Sequence, residues 1–193
     1  MSTTSAPASA STLPVIAFIG GGNMASAIIG GLIHQGLPAG QIEVVEPWAE
    51  AREALRKNYG IEAQAEAGPA LQRAQIVVWA VKPQTFKDAA AQAKAHTQGA
   101  LHLSVAAGIR SDSIAQWLGT ERIVRTMPNT PALVGKGMSA LYARPAVSAP
   151  ERQSIEAIMA TTGEFLWVDS EPQLDAVTAL SGSGPAYVFY FLE

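Results

Sequence analysis

Apolar residues fall into short runs along this chain, and amphipathic segments separate the runs. The first run, "PVIAFIGGG", is rich in β-branched and aromatic residues and ends in glycine, which predicts a strand buried on both faces. Further strands are predicted at "QIEVVE", "IEAQA", "IVVWAV", "ALHLSVAAG" and "ERIVRTMP".

Segments with helical periodicity lie between these strands. The clearest is "AEAREALRKNYG", an amphipathic helix with Gly60 just past its end. Other helices are predicted at "NMASAIIGGLIHQG", "GPALQRA", "TFKDAAAQAKAHT" and "RSDSIAQWLG". Strands and helices that alternate at short intervals are typical of an α/β fold, in which helices cover both faces of a parallel sheet.

The pattern changes after Pro131. Two predicted strands, "GMSALYAR" and "GEFLWVD", flank the predicted helix "APERQSIEAIMATTG". The sheet is predicted to end near residues 169–172, where "LDAVTAL" begins another helix.

Composition excludes several classes of function. The 193 residues are 48% apolar and 15% charged, with a net charge of −3. Such a balance is not that of a nucleic-acid-binding protein, and no Lys/Arg-rich run favours a membrane surface. The absence of cysteine excludes disulfides, thiolate metal sites and a cysteine nucleophile, and it fits a cytoplasmic location.

Neither apolar nor polar stretches near the start indicate a targeting segment. Residues 1–13 are mostly small and polar and lack the features of a signal peptide, so we predict a disordered tail. Residues 15–33 are long and apolar enough to resemble a membrane span. Their five glycines, three of them consecutive, favour a buried strand, a turn and a helix instead.

The glycines after the first strand predict a dinucleotide site. Gly20, Gly22 and Ala25 have the spacing of a fingerprint in which backbone and helix N–H groups face a pyrophosphate. Glu46, at the end of the next strand, could accept hydrogen bonds from ribose hydroxyls. The structural alternatives are a plain strand–helix turn and a solvated glutamate, but the surrounding strand–helix pattern favours the dinucleotide site.

Three further loops follow strands at the same predicted edge of the sheet. "AVKPQ" contains Lys82 and Pro83, "SVAAGI" follows its strand with only small residues, and "RTMPNTP" places Asn129 between two prolines. Each loop alone is typical of a turn. Together, at the carboxyl ends of the strands, they favour a ligand site with room for a flat ring.

Several of these segments, in this order, resemble the pyrroline-5-carboxylate reductase family. They are "FIGGGNMASAIIGGL", "AVKPQ", "SVAAGI", "RTMPNTPALVGKGMSAL" and "ALSGSGPAYVF". The resemblance implies a Rossmann-type, doubly wound, mostly parallel sheet, followed by the start of an all-helical dimerisation domain. It also implies reduction of a cyclic imine carboxylate to L-proline, the last step of proline biosynthesis, with hydride from NADPH or NADH.

The resemblance implies domains and site residues by position. Residues 14–169 would form the dinucleotide-binding domain, and residues 170–193 the start of a helical substrate domain through which a homo-oligomer forms. The pyrophosphate would be bound by Gly20, Gly21, Gly22, Asn23, Met24 and Ala25. The cofactor would also contact Ala80, Val81, Lys82 and Pro83. The nicotinamide would lie near Ala106, Ala107, Gly108 and Asn129. The substrate would lie beside Ser181, Gly182, Ser183, Gly184 and Pro185.

The residues of the last segment favour the same substrate site. A helix interrupted by Ser-Gly-Ser-Gly and restarted with Pro185 in its first turn would present free N–H groups to a small carboxylate. A flexible connection between two helices is the alternative. "AYVFYFLE" is apolar around its circumference and lacks the segments that follow it in the family, so we expect a truncated and poorly active chain.

No catalytic residue or metal ligand is predicted. A protonated imine accepts hydride directly, so alignment of the two reacting carbons contributes most of the catalysis. His34, His96 and His102 lie outside every motif and are predicted to be surface or helix-packing residues. Cofactor preference stays open, because Glu46 favours NADH by repelling a 2′-phosphate, whereas the resemblance and a neighbouring Arg52 favour NADPH.

Two other functions remain open. The first is another two-domain NAD(P)-dependent reductase, such as a β-hydroxyacid dehydrogenase, but those use a helix lysine and residues 175–193 contain none. The second is a nucleotide-binding module without catalysis. Hydride transfer to pyrroline-5-carboxylate would distinguish this module from the enzyme.

Overall fold

Seven strands form one sheet in the computed structural model, which describes residues 14–192 apart from the side chains of residues 182–186 and 189. The tail predicted at residues 1–13 lies outside the described residues. The strands are β1 (Ile16–Ile19), β2 (Ile42–Val45), β3 (Ile76–Trp79), β4 (Leu101–Ser104), β5 (Ile123–Met127), β6 (Gly137–Ala143) and β7 (Gly163–Trp167).

The sheet has the order β2-β1-β3-β4-β5-β6-β7 and is mostly parallel. Only the pairing of β5 with β6 is antiparallel. The chain leaves β1 towards β2 on one side and returns to β3 on the other side, so the direction of the connections switches between the neighbouring strands β1 and β3. Ligands of such sheets bind at this switch point, beyond the carboxyl ends of the strands.

Helices cover both faces of the sheet. They are α1 (Asn23–His34), α2 (Ala49–Tyr59), α3 (Phe86–Ala93), α4 (Ser111–Leu118), α5 (Ala149–Met159), α6 (Gln173–Val177) and α7 (Gly184–Leu192). As predicted, α2 ends at Gly60, which adopts the left-handed conformation with φ 68°. The predicted α/β fold class is confirmed.

The two faces of the sheet are buried in separate apolar clusters. Along β1, Ile16 and Phe18 pack in one cluster, and Ala17 and Ile19 in the other. Successive side chains of a strand point to opposite faces. An unbroken apolar run is therefore what a strand covered on both sides requires, which explains why this run was predictive.

The prediction of a strand at "IEAQA" is wrong. The segment makes a single bridge to the end of β2, in which the Gln64 N–H donates to the Val44 carbonyl and Gln64 accepts from the Glu46 N–H, both at 2.8 Å. Its side chains at Glu62 and Gln64 are exposed. Because little apolar surface is available to bury, pairing does not extend into a strand. The short helix predicted after it is a 3₁₀ helix, Pro69–Arg73.

The predicted break at Ser-Gly-Ser-Gly is also wrong. Helix α6 continues into a π-helical segment, Thr178–Ser183, and α7 follows directly. A π-helical turn keeps backbone hydrogen bonds while it accommodates an extra residue, so the small residues widen the helix here rather than end it.

The apolar stretches near both ends of the chain have different surroundings. Residues 15–33 form β1, a turn and α1, as predicted. In α7, exposed fractions reach 77% at Tyr190 and 82% at Phe191. Across residues 14–192 the structure contains no helix with the length and hydropathy that a membrane crossing needs.

Candidate active site

Three of the predicted site loops lie side by side at the carboxyl edge of the sheet. The Gly20 N–H donates to the Val45 carbonyl at 2.8 Å, and the Ala80 N–H donates to the Ile19 carbonyl at 2.8 Å. The Val105 N–H donates to the Trp79 carbonyl at 3.1 Å. These bonds continue the strand ladders into the loops, so the loops after β1, β3 and β4 span the switch point.

The three consecutive glycines have different surroundings. Gly20 has φ +97°, and a Cβ there would lie 2.5 Å from the Ala80 carbonyl oxygen. A Cβ on Gly21 would lie 2.7 Å from Leu55 Cδ1. At Gly22 no atom lies within 4 Å of an added Cβ. The backbone conformation and the contact with Ala80 therefore require glycine at Gly20, a side chain at Gly21 would displace Leu55, and Gly22 faces open space.

Helix α1 begins beside that space without a capping side chain. Gly22 is its N-cap, the first turn contains no acidic residue, and the Ser26 N–H donates to the Gly22 carbonyl at 2.9 Å. Buried Ala25 lets the helix pack closely on the sheet. Uncapped N–H groups and the helix dipole favour an anion at such an end, so these residues fit the pyrophosphate of a dinucleotide.

Glu46 joins the glycine loop to the turn after β2. Its side chain is buried, and Oε2 accepts from the Gly21 N–H at 2.7 Å while Oε1 accepts from the Trp48 N–H at 2.9 Å. The carboxylate thus fixes both backbone segments. Each oxygen keeps a lone pair that could accept a further hydrogen bond.

Arg52 is held at the same turn. Its Nη1 donates to the carbonyl oxygens of Glu46, at 2.9 Å, and Pro47, at 2.7 Å. The neighbouring Trp48 side chain is 72% exposed. These contacts place a cation and an exposed indole beside the end of β2.

The other predicted cofactor residues line the edge next to β3 and β4. Lys82 is exposed and precedes the 3₁₀ helix Pro83–Thr85. Ala106 is buried, while Gly108 is exposed with φ 74°. The side chains of Ala106 and Ala107 are small, and the prediction that a flat ring fits beside this loop stays a prediction.

A hydrogen bond joins the sheet edge to the predicted substrate segment. Asn129 Nδ2 donates to Ser181 Oγ at 2.9 Å, and Asn129 Oδ1 accepts from the Met138 N–H at 3.0 Å. Asn129 follows β5, and Ser181 lies in the π-helical segment. The structure therefore brings together one residue predicted to lie near the nicotinamide and one predicted to contact the substrate.

His102 is neither at the surface nor on a helix, so that prediction is wrong. It lies in β4, is 2% exposed, and its Nδ1 accepts from Trp79 Nε1 at 3.0 Å. Burial, and to a lesser extent the charge of Arg122, lowers the pKa of His102 from 6.5 to about 4. The imidazole is therefore neutral. Helices cover both faces of the sheet, so a polar residue in the strand is buried with its neighbours.

The sequence reasoning also missed a buried polar cluster of Arg125, Glu171 and Ser111. A signal was available, because an arginine within the apolar strand "ERIVRTMP" needs a partner once it is buried. The identity of that partner depends on tertiary contacts.

Comparisons with known proteins agree with this geometry. A family described as "NADP oxidoreductase coenzyme F420-dependent" matches residues 15–108, and one described as "Pyrroline-5-carboxylate reductase dimerisation" matches residues 171–193. The pyrroline-5-carboxylate reductase of Pseudomonas aeruginosa is 46% identical over 182 residues, with 93% of this chain and 67% of that protein covered. The chain belongs to the pyrroline-5-carboxylate reductase family.

Solved structures of the pyrroline-5-carboxylate reductase family have the same fold. The Coxiella burnetii reductase has a TM-score of 0.86 at 36% identity, with 92% of this chain and 67% of that chain covered. A Plasmodium falciparum pyrroline carboxylate reductase with NADP bound has a TM-score of 0.79 at 27% identity, with 92% and 66% covered. The chain thus spans about two thirds of the length of these relatives. The predicted resemblance is confirmed, and NAD(P)H is confirmed as the cofactor class of the family.

Proposed function

We propose that this chain takes part in the reduction of 1-pyrroline-5-carboxylate to L-proline, with NADPH or NADH as reductant. The Asn129–Ser181 hydrogen bond is the observation that supports this function most directly. It connects the sheet edge suited to a dinucleotide with the helical segment that the dimerisation family matches. One site can therefore contact both cofactor and imine.

The cofactor side of the site has two parts in this proposal. The open space at Gly22 and the start of α1 receive the pyrophosphate. Residues 80–83 and 106–108, with Asn129, line the nicotinamide end. When bound, the nicotinamide supplies a hydride equivalent.

The substrate side works by orientation. The site would have to hold the imine carbon towards the hydride donor, in a substrate whose ring nitrogen already carries the proton, with NADPH or NADH as the two-electron reductant. Ser181 and the backbone of residues 182–185 are proposed to border the carboxylate, with Asn129 fixing the Ser181 hydroxyl. We assign no proton donor, because a protonated imine needs none and alignment supplies the main rate acceleration.

Domain organisation, assembly and location complete the proposal. Residues 14–169 act as the dinucleotide-binding domain, and residues 170–193 begin the helical domain through which subunits associate. The exposed apolar side chains of α7 support this role, since large exposed apolar patches are typical of interfaces. We place the enzyme in the cytoplasm, consistent with the absence of cysteine.

Oxidation of NADPH or NADH by the purified protein in the presence of pyrroline-5-carboxylate, with L-proline identified as product, tests the function. We expect proline and oxidised cofactor in equal amounts. An Asn129→Ala variant should lose far more turnover than cofactor affinity, because it removes the bond to Ser181 and leaves the pyrophosphate site unchanged. Cofactor binding without any proline formed would instead indicate a nucleotide-binding module.

A further inference from the structure

A buried ion pair joins the sheet to the helices that follow it. Arg125 of β5 donates through Nη1 to Glu171 Oε1 at 2.5 Å, and the two residues are 6% and 8% exposed. Glu171 lies just before α6. The cost of removing two charges from water offsets most of their attraction, so stability alone is a weak explanation for such a pair.

The same carboxylate caps helix α4. Glu171 Oε1 accepts from the Ser111 N–H at 2.6 Å, and Oε2 accepts from Ser111 Oγ at 2.7 Å. Ser111 is the first residue of α4, and it closely follows Gly108 of the predicted nicotinamide loop. An acid at a helix N-terminus is favoured by the free N–H groups and by the helix dipole.

Glu171 is therefore connected to three segments of the proposed site. Through Ser111 it contacts the start of α4, which directly follows the predicted nicotinamide loop, and through Arg125 it contacts the strand that leads to Asn129. Its own chain continues through α6 to Ser181, which accepts the hydrogen bond from Asn129. Glu171 and Ser181 thus attach the stretch that contains α6 to the sheet domain near both of its ends.

We propose that Glu171 is a positioning residue that holds the Ser181 segment in register with the nicotinamide loop. The inference rests on the proposed function, because it assigns to Glu171 the alignment of substrate with cofactor. Glu171 itself contacts neither ligand. Burial acts to raise its pKa, but hydrogen bonds from Ser111 and Arg125 lower it by more, so the carboxylate is ionised at neutral pH.

Glu171→Gln tests the inference, because it keeps the side-chain volume and removes the charge. Glu50→Gln, at an exposed site in the first turn of α2, is the matched control. We expect Glu171→Gln to lower kcat for pyrroline-5-carboxylate by about tenfold to hundredfold, since small misplacements of reacting groups have effects of this size. Affinity for NADPH should change by less than about twofold, because the glycine loop is untouched.

Hydrogen exchange gives a second readout that does not need activity. In Glu171→Gln, amides at 111–114 and 173–181 should exchange faster, while those of α2 should not change. A variant with unchanged kcat and only a lower free energy of unfolding would overturn the inference, as would faster exchange spread evenly over the chain. If the wild-type protein formed no proline, the proposed function would be wrong. Hydrogen exchange would still test the positioning role, because faster exchange confined to 111–114 and 173–181 supports it and uniformly faster exchange contradicts it.

Discussion

Gly22 is the residue of the glycine loop at which a side chain would meet no atom of this chain. We expect Gly22→Val to leave the fold intact and to raise the dissociation constant of NADPH by at least about tenfold, because the side chain would fill the space proposed for the pyrophosphate. Titration of the variant with reduced cofactor provides the measurement.

Gly40 offers a matched control for this substitution. It also has no atom within 4 Å of an added Cβ, and it lies in a 3₁₀ helix before β2, away from the carboxyl edge. Gly40→Val should bind cofactor normally. An unchanged dissociation constant of NADPH in Gly22→Val would show that the glycine loop does not bind the pyrophosphate.

Glu46 and Arg52 bear on the choice between NADPH and NADH. The buried Glu46 carboxylate disfavours a 2′-phosphate at the end of β2, and Arg52 favours it. We expect Glu46→Ser to raise the ratio of kcat/KM for NADPH to that for NADH by about tenfold. It should also weaken binding of both cofactors, because the Gly21 N–H loses its partner.

Steady-state kinetics with each cofactor measures this preference. Glu50→Ser, which removes the same charge from an exposed position nearby, is the control. A ratio that stays constant in Glu46→Ser would exclude repulsion by Glu46. A selective loss of NADPH use in Arg52→Ala would show that the arginine binds the 2′-phosphate.

Helix α7 exposes large apolar side chains that a helix in water normally buries. Phe191 is 82% exposed and Tyr190 is 77% exposed. We expect Phe191→Glu to weaken self-association of the chain, because a charge at a buried apolar interface is costly to desolvate. Sedimentation velocity over a range of concentrations checks this expectation.

Gln92→Glu in α3 adds one negative charge at another exposed helical position and serves as the control. It should associate like the wild-type chain. If Phe191→Glu associates equally well, α7 is not part of the interface.

Stability of the whole molecule should depend on His102 in mild acid. The pKa of His102 is about 4 in the folded chain and 6.5 when unperturbed, so the unfolded state binds the proton more readily. The free energy of unfolding therefore has its full value above pH 6.5, where His102 is neutral in both states, and it falls as the pH is lowered towards 4. A shift of this size corresponds to about 3 kcal/mol of unfolding free energy.

Urea unfolding at several pH values measures this dependence. His102→Asn, whose side-chain oxygen can accept from Trp79, should show a much smaller loss between pH 6.5 and 4 than the wild-type chain. The exposed His34 provides the control as His34→Asn. If the unfolding free energies of the wild-type chain and of His102→Asn fell equally with pH, His102 would not be the group responsible for the loss. Protonation of Glu171, whose pKa is lowered, affects stability at lower pH.

Local patterns were enough to predict most of the fold and the family. The apolar run of β1, the glycine spacing at Gly20 and Gly22, and the amphipathic period of α2 each depend on neighbouring residues alone. Hydrophobic periodicity and turn chemistry act over such short distances, so the sequence by itself determined the α/β alternation and the edge at which we propose the site.

Only the tertiary structure decided which distant groups meet. Glu46 binds Gly21, Glu171 binds Ser111 and Arg125, and His102 is buried against Trp79. These contacts join residues far apart in the sequence. They depend on the order in which the strands pair and on which loops and helices end at the same edge of the sheet, and a local sequence pattern contains neither. The lone bridge at Gln64 has the same cause, because a strand forms only where the packed sheet gives it apolar surface to bury.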